Sequence, residues 1–269
     1  MAAATPRVPV APIPTTPPTP AVRSGTLRDA GTVRRASVRA ATWTTRGTTK
    51  VEGDVDVGSG SSTGLASIGG RLSAGAFRAS GTLEIVGPTE VREELTVDGT
   101  VHLRAAVRCG TLDARGTLRC GAELHVDRVL TVTGSIEAPS AEVGLFALSG
   151  TAVVPGELRA LAAVRAQFRG DSAIGSVRAR SAVLKGPPTA LIPTLLRTVF
   201  GGSGVVHIGR VEADAVELSA VTVEFVRSPA IVLGPGCHVR EVEGTIVRRH
   251  PSSRVGPESR SLPPHGLSR

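Results

Sequence analysis

Apolar residues recur along this chain at intervals of five and six, set among Gly, Thr, Ser and charged residues. The clearest run is Val101, Val107, Leu112, Leu118, Leu124, Leu130 and Ile136, with steps of 6, 5, 6, 6, 6 and 6. A later run, Val211, Val216, Val221, Val226 and Ile231, advances by 5 each time. A helix face repeats every 3.6 residues and a half-buried strand every 2, so neither explains these intervals. The spacing predicts very short strands, each turning a corner and each pointing an apolar side chain inward. Gly supplies the corner conformations that a Cβ would obstruct, and Val, Thr and Ile suit the flat faces.

A triplet repeats as well. Gly-Thr followed by Leu, Val or Ile occurs at Gly25, Gly31, Gly81, Gly99, Gly110, Gly116 and Gly244. Three short sides would close one coil, and the sequence supports a period of 17 to 18: Val101 to Leu118 is 17, Leu118 to Ile136 is 18. Stacked coils of this kind form a β-solenoid, in which each coil buries its inward residues against the coils above and below. The fold class expected is therefore all-β, a β-solenoid over 24–249. The pattern breaks at 187–202, where Pro187-Pro188 precede a stretch with Leu191, Leu195, Val199 and Phe200 at helical spacing and Thr189 as an N-cap. That segment is expected to be a short helical insertion packed on the rod. Residues 1–23 and 250–269 are Pro-rich and lack apolar mass, so both are expected to be disordered tails.

Composition fits a narrow bore. Hydrophobic residues make up 41% of the chain but aromatics only 2%, with no Tyr. Modules that stack bases on aromatic rings are disfavoured. The net charge of +8 is spread along the chain, and each tail carries +2 of it. No nucleic-acid partner is expected from so dispersed an excess. No apolar stretch approaches the length of a membrane span, and the first residues lack an apolar leader, so membrane attachment and secretion are not expected. Cys109, Cys120 and Cys237 are odd in number and without CxxC spacing, which suits reduced thiols in a cytoplasmic protein.

Candidate chemistry is sparse. Gly60, Ser62 and Gly64 form a GxSxG string inside GSGSSTG, but Gly69-Gly70 leaves no room for the helix a nucleophile elbow needs. A flexible Gly/Ser turn is expected there. His102 and His125 are 23 residues apart and His207 and His238 are 31 apart, neither taken as a coil repeat. No catalytic residue, cofactor or metal site is predicted, and the chain is read as a non-enzyme.

The repeated GTL/GTV turns, the stretch GTVHLRAAVRCGTLDARGTLRCGAELHVDRVLTVTGSIEA from Gly99 to Ala138, and the Pro-rich tails around a Val/Gly/Ala core resemble the bactofilins, bacterial polymer-forming cytoskeletal proteins. The resemblance implies a right-handed, three-sided β-helix that polymerises end to end without nucleotide. The partner is then the protein itself. Uncapped end coils would expose unpaired backbone groups and an apolar bore to a second copy. The polymerisation interface expected on this reading is Val33, Val38 and Trp43 at the N-terminal side, with Phe225, Ile231, Val242 and Ile246 at the C-terminal side. The alternative is a non-polymerising β-solenoid that presents an Arg-rich face to a partner. Other proteins could dock on the tails or on the 187–202 segment.

Overall fold

The computed structural model describes residues 25–187 and 204–256. Within them the chain forms thirteen strands and no helix, all in one parallel sheet whose spatial order follows the sequence. The strands are β1 (Thr26–Arg35), β2 (Val38–Val51), β3 (Val55–Ile68), β4 (Leu72–Ile85), β5 (Thr89–Leu103), β6 (Val107–Cys120), β7 (Leu124–Glu137), β8 (Ala141–Phe168), β9 (Ser172–Lys185), β10 (Val206–Ser219), β11 (Thr222–Leu233), β12 (His238–Arg249) and β13 (Arg254–Val255). Consecutive strands can be parallel neighbours only if the chain winds back to its start each time. The result is the β-solenoid that the five-to-six spacing predicts. With coils roughly 4.8 Å apart, the rod is on the order of 60 Å long.

Burial shows how one coil is built. From Val38 the inward residues are Val38 and Ala40, Trp43 and Thr45, Thr49 and Val51, and the series restarts at Val55. Each pair brackets one outward residue, as a strand requires. Three such pairs make three faces. The apolar steps legible in the sequence are the first members of these pairs. The register then repeats every 17 residues: Val38 pairs with Val55, and Val55 with Leu72. Thr89 to Val107 takes 18, and the extra residue is absorbed as a bulge after Val91. A fully buried leucine such as Leu112 or Leu118 contributes about 2 kcal/mol.

The Gly-Thr-aliphatic triplet has a structural meaning at one corner. Gly31, Gly47, Gly64, Gly81, Gly99, Gly116, Gly134 and Gly150 stack in one column. All have positive φ, from 77° at Gly31 to 152° at Gly150. A Cβ at Gly47 would lie 2.5 Å from the carbonyl oxygen of Gly31, and one at Gly116 still closer to that of Gly99. Only glycine fits on both counts. The next residue points outward and the one after it, such as Leu118, enters the core.

Side-chain volume is matched across coils too. Trp43, Gly60 and Phe77 occupy one inward column. A Cβ on Gly60 would collide with the Phe77 ring, and the bare backbone lets that ring approach Trp43, with centroids 6.2 Å apart. The GSGSSTG string is therefore part of β3 rather than the flexible turn expected. Its glycines make room for a ring and a corner, and Ser62 faces the bore.

After Val154 the geometry changes. Residues 204–256 continue the same sheet through β9–β10 pairing. Their coils are shorter: His207 to Thr222 is 15 residues, Thr222 to His238 is 16, and His238 to Arg254 is 16. Strand β13 carries the solenoid past residue 249, the boundary expected from sequence. The predicted helical insertion, apart from Pro187, lies outside the described residues, as do residues 1–23 and 257–269 of the predicted tails.

Candidate assembly surfaces

The interior offers little to chemistry. Cys109 and Cys120 face the bore on different sides of one coil, and burial pushes both thiols up to about 12. Burial also raises Cys237. Ser62 is buried, with no room for a substrate. Among the described residues no group of three or more His, Cys, Asp or Glu could hold a metal. The register corrects one sequence inference: His207 and His238 do share a column, two short coils apart with Thr222 between them. His207 lies 3.3 Å from Glu224, and both are exposed. Among the described residues no helix is long and apolar enough to cross a membrane.

Charge on the lateral faces is largely matched one coil away. Arg71 pairs with Glu90, Arg78 with Asp98 at 3.2 Å, Arg104 with Glu84 at 2.7 Å, Arg119 with Glu137 at 3.3 Å and Arg227 with Glu243 at 3.4 Å. Exposed pairs of this kind are each worth well under about 1 kcal/mol. Their consequence is near-neutrality, since at least nine of the sixteen described arginines between residues 52 and 243 sit beside an acid.

The two ends differ from this middle. Residues 25–51 hold six cations and one acid, and residues 244–256 hold three cations and no acid. Arg28, Arg34, Arg46 and Lys50 at one end, and Arg248 and Arg254 at the other, form no ion pair among the described residues.

At the N-terminal end Asp29 occupies an inward position, in register with Thr45. Its side chain is 3% exposed, under an Arg35 side chain that is 33% exposed. Arg35 donates Nε to Oδ2 at 2.9 Å and Nη2 to Oδ1 at 2.6 Å. The Trp43 indole N–H donates to Oδ2 at 3.1 Å. The Arg35 hydrogen bonds hold the Asp29 carboxyl below its ordinary range, against the opposing effect of burial. Arg35 is itself at an inward position, in register with Val51. Leu27 and Val33, also inward, stay partly exposed beside this ion pair.

At the C-terminal end Arg249 is in register with Leu233, again an inward position. Its guanidinium folds over the opening and donates to the Ser253 carbonyl at 2.9 and 3.3 Å. The Ser253 hydroxyl donates to the Gly234 carbonyl at 2.5 Å. Ile246 and Val255 are partly buried, and Val247 is exposed. Among the described residues most of β12 has no strand on its outer edge, since β13 covers only His238 and Val239.

Of the residues expected at the interface, Val33 and Ile246 lie in the end coils and keep exposed surface. Val38, Trp43, Ile231 and Val242 are buried in the bore and present none. Phe225 points sideways under the Arg210 guanidinium, 4.6 Å from the ring centroid, so it belongs to a lateral face. Asp29, Arg35 and Arg249 were not anticipated. Their signal was present: each stands two or three residues beyond an apolar step (Leu27, Val33, Ile246), where interior coils place a second inward residue. The fold and these surfaces define a β-solenoid rod. Comparison with protein-family models, curated proteins and solved structures gave no match.

Proposed function

We propose that this chain is a structural protein, a bactofilin-like rod that joins copies of itself end to end into nucleotide-independent filaments or scaffolds. The observation that carries this reading is the edge left at each end. Every interior coil is held by parallel pairing and aliphatic contact with the next. Among the described residues the terminal coils keep an unpaired strand edge with half-exposed aliphatics, Leu27 and Val33 at one end, Ile246 and Val255 at the other. Another copy can satisfy both by adding a coil. The three unpaired, buried thiols fit a reducing compartment such as the cytoplasm.

The test is negative-stain electron microscopy of the full chain without nucleotide, beside Val33→Arg and Ile246→Arg. Filaments from the parent that shorten or vanish in both variants support the reading. Discrete rods from the parent at every concentration reject it. The second reading, a rod that stays single and binds partners along its sides, is favoured by Asp29, Arg35 and Arg249, which place charge over both openings as capping repeats do.

A further inference from the structure

The two ends match each other column by column. One inward column begins Leu27, Trp43 and finishes Val216, Ile231, Ile246. The next begins Asp29, Thr45 and finishes Leu218, Leu233, Arg249. Register is carried across the irregular middle by the Arg169 N–H, which donates to the Gly150 carbonyl at 2.8 Å and so aligns Leu148 with Ala166. Between its ends the second column becomes aliphatic, with Ala79, Val97, Ala114 and Val132. It carries charge only at its first and last places, and the two charges are opposite.

We propose that the rods join head to tail, the C-terminal coil of one copy stacking on the N-terminal coil of the next, so that Ile246 meets Leu27 and Arg249 meets Asp29. This rests on the end-to-end reading and adds to it a polarity and a register. In that arrangement Val255 falls in the column of Arg35 and covers its aliphatic stem. Strands stay parallel across the junction, as they are throughout the rod. Asp29 already accepts three hydrogen bonds and is 3% exposed, so Arg249 reaches it as the Arg35 guanidinium shifts aside, and two carboxylate oxygens offer about four acceptor positions for the donors together. Arg249 exchanges the Ser253 carbonyl for a charged partner, and such bonds are the stronger kind.

Pairing of like ends lacks these gains. Two C-terminal coils would bring no Asp29 to either Arg249, and of the carboxylates in that coil, Glu241 and Glu243, the second is already paired with Arg227. Two N-terminal coils would set Arg28, Arg34 and Arg35 of one copy against the same three of the other and bring no Arg249 to either Asp29. A single charge pair in an otherwise uncharged column also penalises any shift of register, because a slipped junction would set Arg249 against a position that offers no carboxylate.

Two variants of the full chain, each blocked at one end, separate the possibilities: Leu27→Arg and Ile246→Arg. Circular dichroism and Trp43 emission matching the parent establish that each is folded. Light scattering after size exclusion then gives the mass of each alone and of a 1:1 mixture. Head-to-tail joining predicts single rods alone and a species of twice that mass in the mixture, going no further. Adding Arg249→Glu to the Leu27→Arg chain should abolish the doubled species, and Arg249→Lys should keep most of it. A doubled mass from either variant alone overturns the polarity while leaving end-to-end assembly standing. Single rods in the mixture, with a parent that assembles, overturn the register. Single rods from the parent as well reject the end-to-end reading, and this inference with it.

Discussion

In the coils between Gly25 and Val154, the corner before the third inward pair is a glycine stacked on a glycine. In the coils after Gly204 the same corner is a left-handed turn, with φ of 58° at Gly204, 53° at Ala220 and 70° at Gly236. The first arrangement keeps the period at 16 to 18 residues. The second shortens it to 15 or 16 and accepts alanine. The difference shows what the glycine column does. Each of its carbonyls occupies the space a Cβ would need on the next coil, so every member depends on its neighbour. The later corners depend only on their own backbone angles.

Thiol reactivity should show the largest contrast. Cys109 and Cys120 lie in the glycine-column region and Cys237 in the short-coil region. A rise from 9 to about 12 lowers the thiolate fraction at a given pH about a thousandfold. Labelling of the folded chain should be suppressed at least that far at Cys109 and Cys120, and Cys237 should be the first to react as denaturant is added. Peptide mapping after timed labelling checks the order. Simultaneous labelling of all three would mean the regions open together.

Next in size is Gly116→Ala against Gly234→Ala. At Gly116 the φ of 122° and the Gly99 carbonyl both oppose a Cβ, for a loss of about 3 kcal/mol or more. At Gly234 φ is ordinary and the nearest atom would be 3.0 Å away, for a loss of about 1 kcal/mol. Equal shifts in urea midpoint would remove the special status of the column.

Asp29→Ala leaves the Arg35 guanidinium and Trp43 N–H without their acceptor, at a cost of about 1–3 kcal/mol. The loss should be local to the first coil and visible in Trp43 emission. The pH dependence follows from the lowered carboxyl. The contribution is complete above the unfolded value, near 4, and is lost as pH falls through the lower folded value. An acid-induced change in Trp43 emission that is already complete by pH 4 would contradict this.

Two smaller effects mark one flaw in each region. Thr89 is buried with no partner for its hydroxyl among the described residues, so Thr89→Val should stabilise by about 1 kcal/mol. Ala220→Gly should stabilise by somewhat less, by relieving the positive φ. Both are read as shifts in thermal midpoint.

Much of this architecture was written in the apolar spacing. Val101 to Ile136 and Val211 to Ile231 all point into the bore, because every side contributes its first inward residue at that interval. The triplet at Gly81, Gly99 and Gly116 marked a true corner, whereas Gly110 belongs to another corner and Gly244 stacks on Ser228. The second inward residues were hidden, since Ala, Thr, Ser and Cys fill them as readily as Val. That is why the charges at 29, 35 and 249 escaped notice. Trp43 was misplaced at an end for a related reason: Gly60 vacates the space between the Trp43 and Phe77 rings, a match visible only once the register is known. His207 and His238 were separated by an assumed period of 17 that the C-terminal coils do not keep.

The central claim is that the stacking which builds one rod continues into the next. Fibre diffraction from aligned, pelleted protein tests it most directly. The account predicts a meridional reflection near 4.8 Å, from coils stacked along the axis, together with a long axial repeat on the order of 60 Å from the rod itself. A pellet lacking the long repeat, or a protein that never sediments as an ordered assembly, would contradict it.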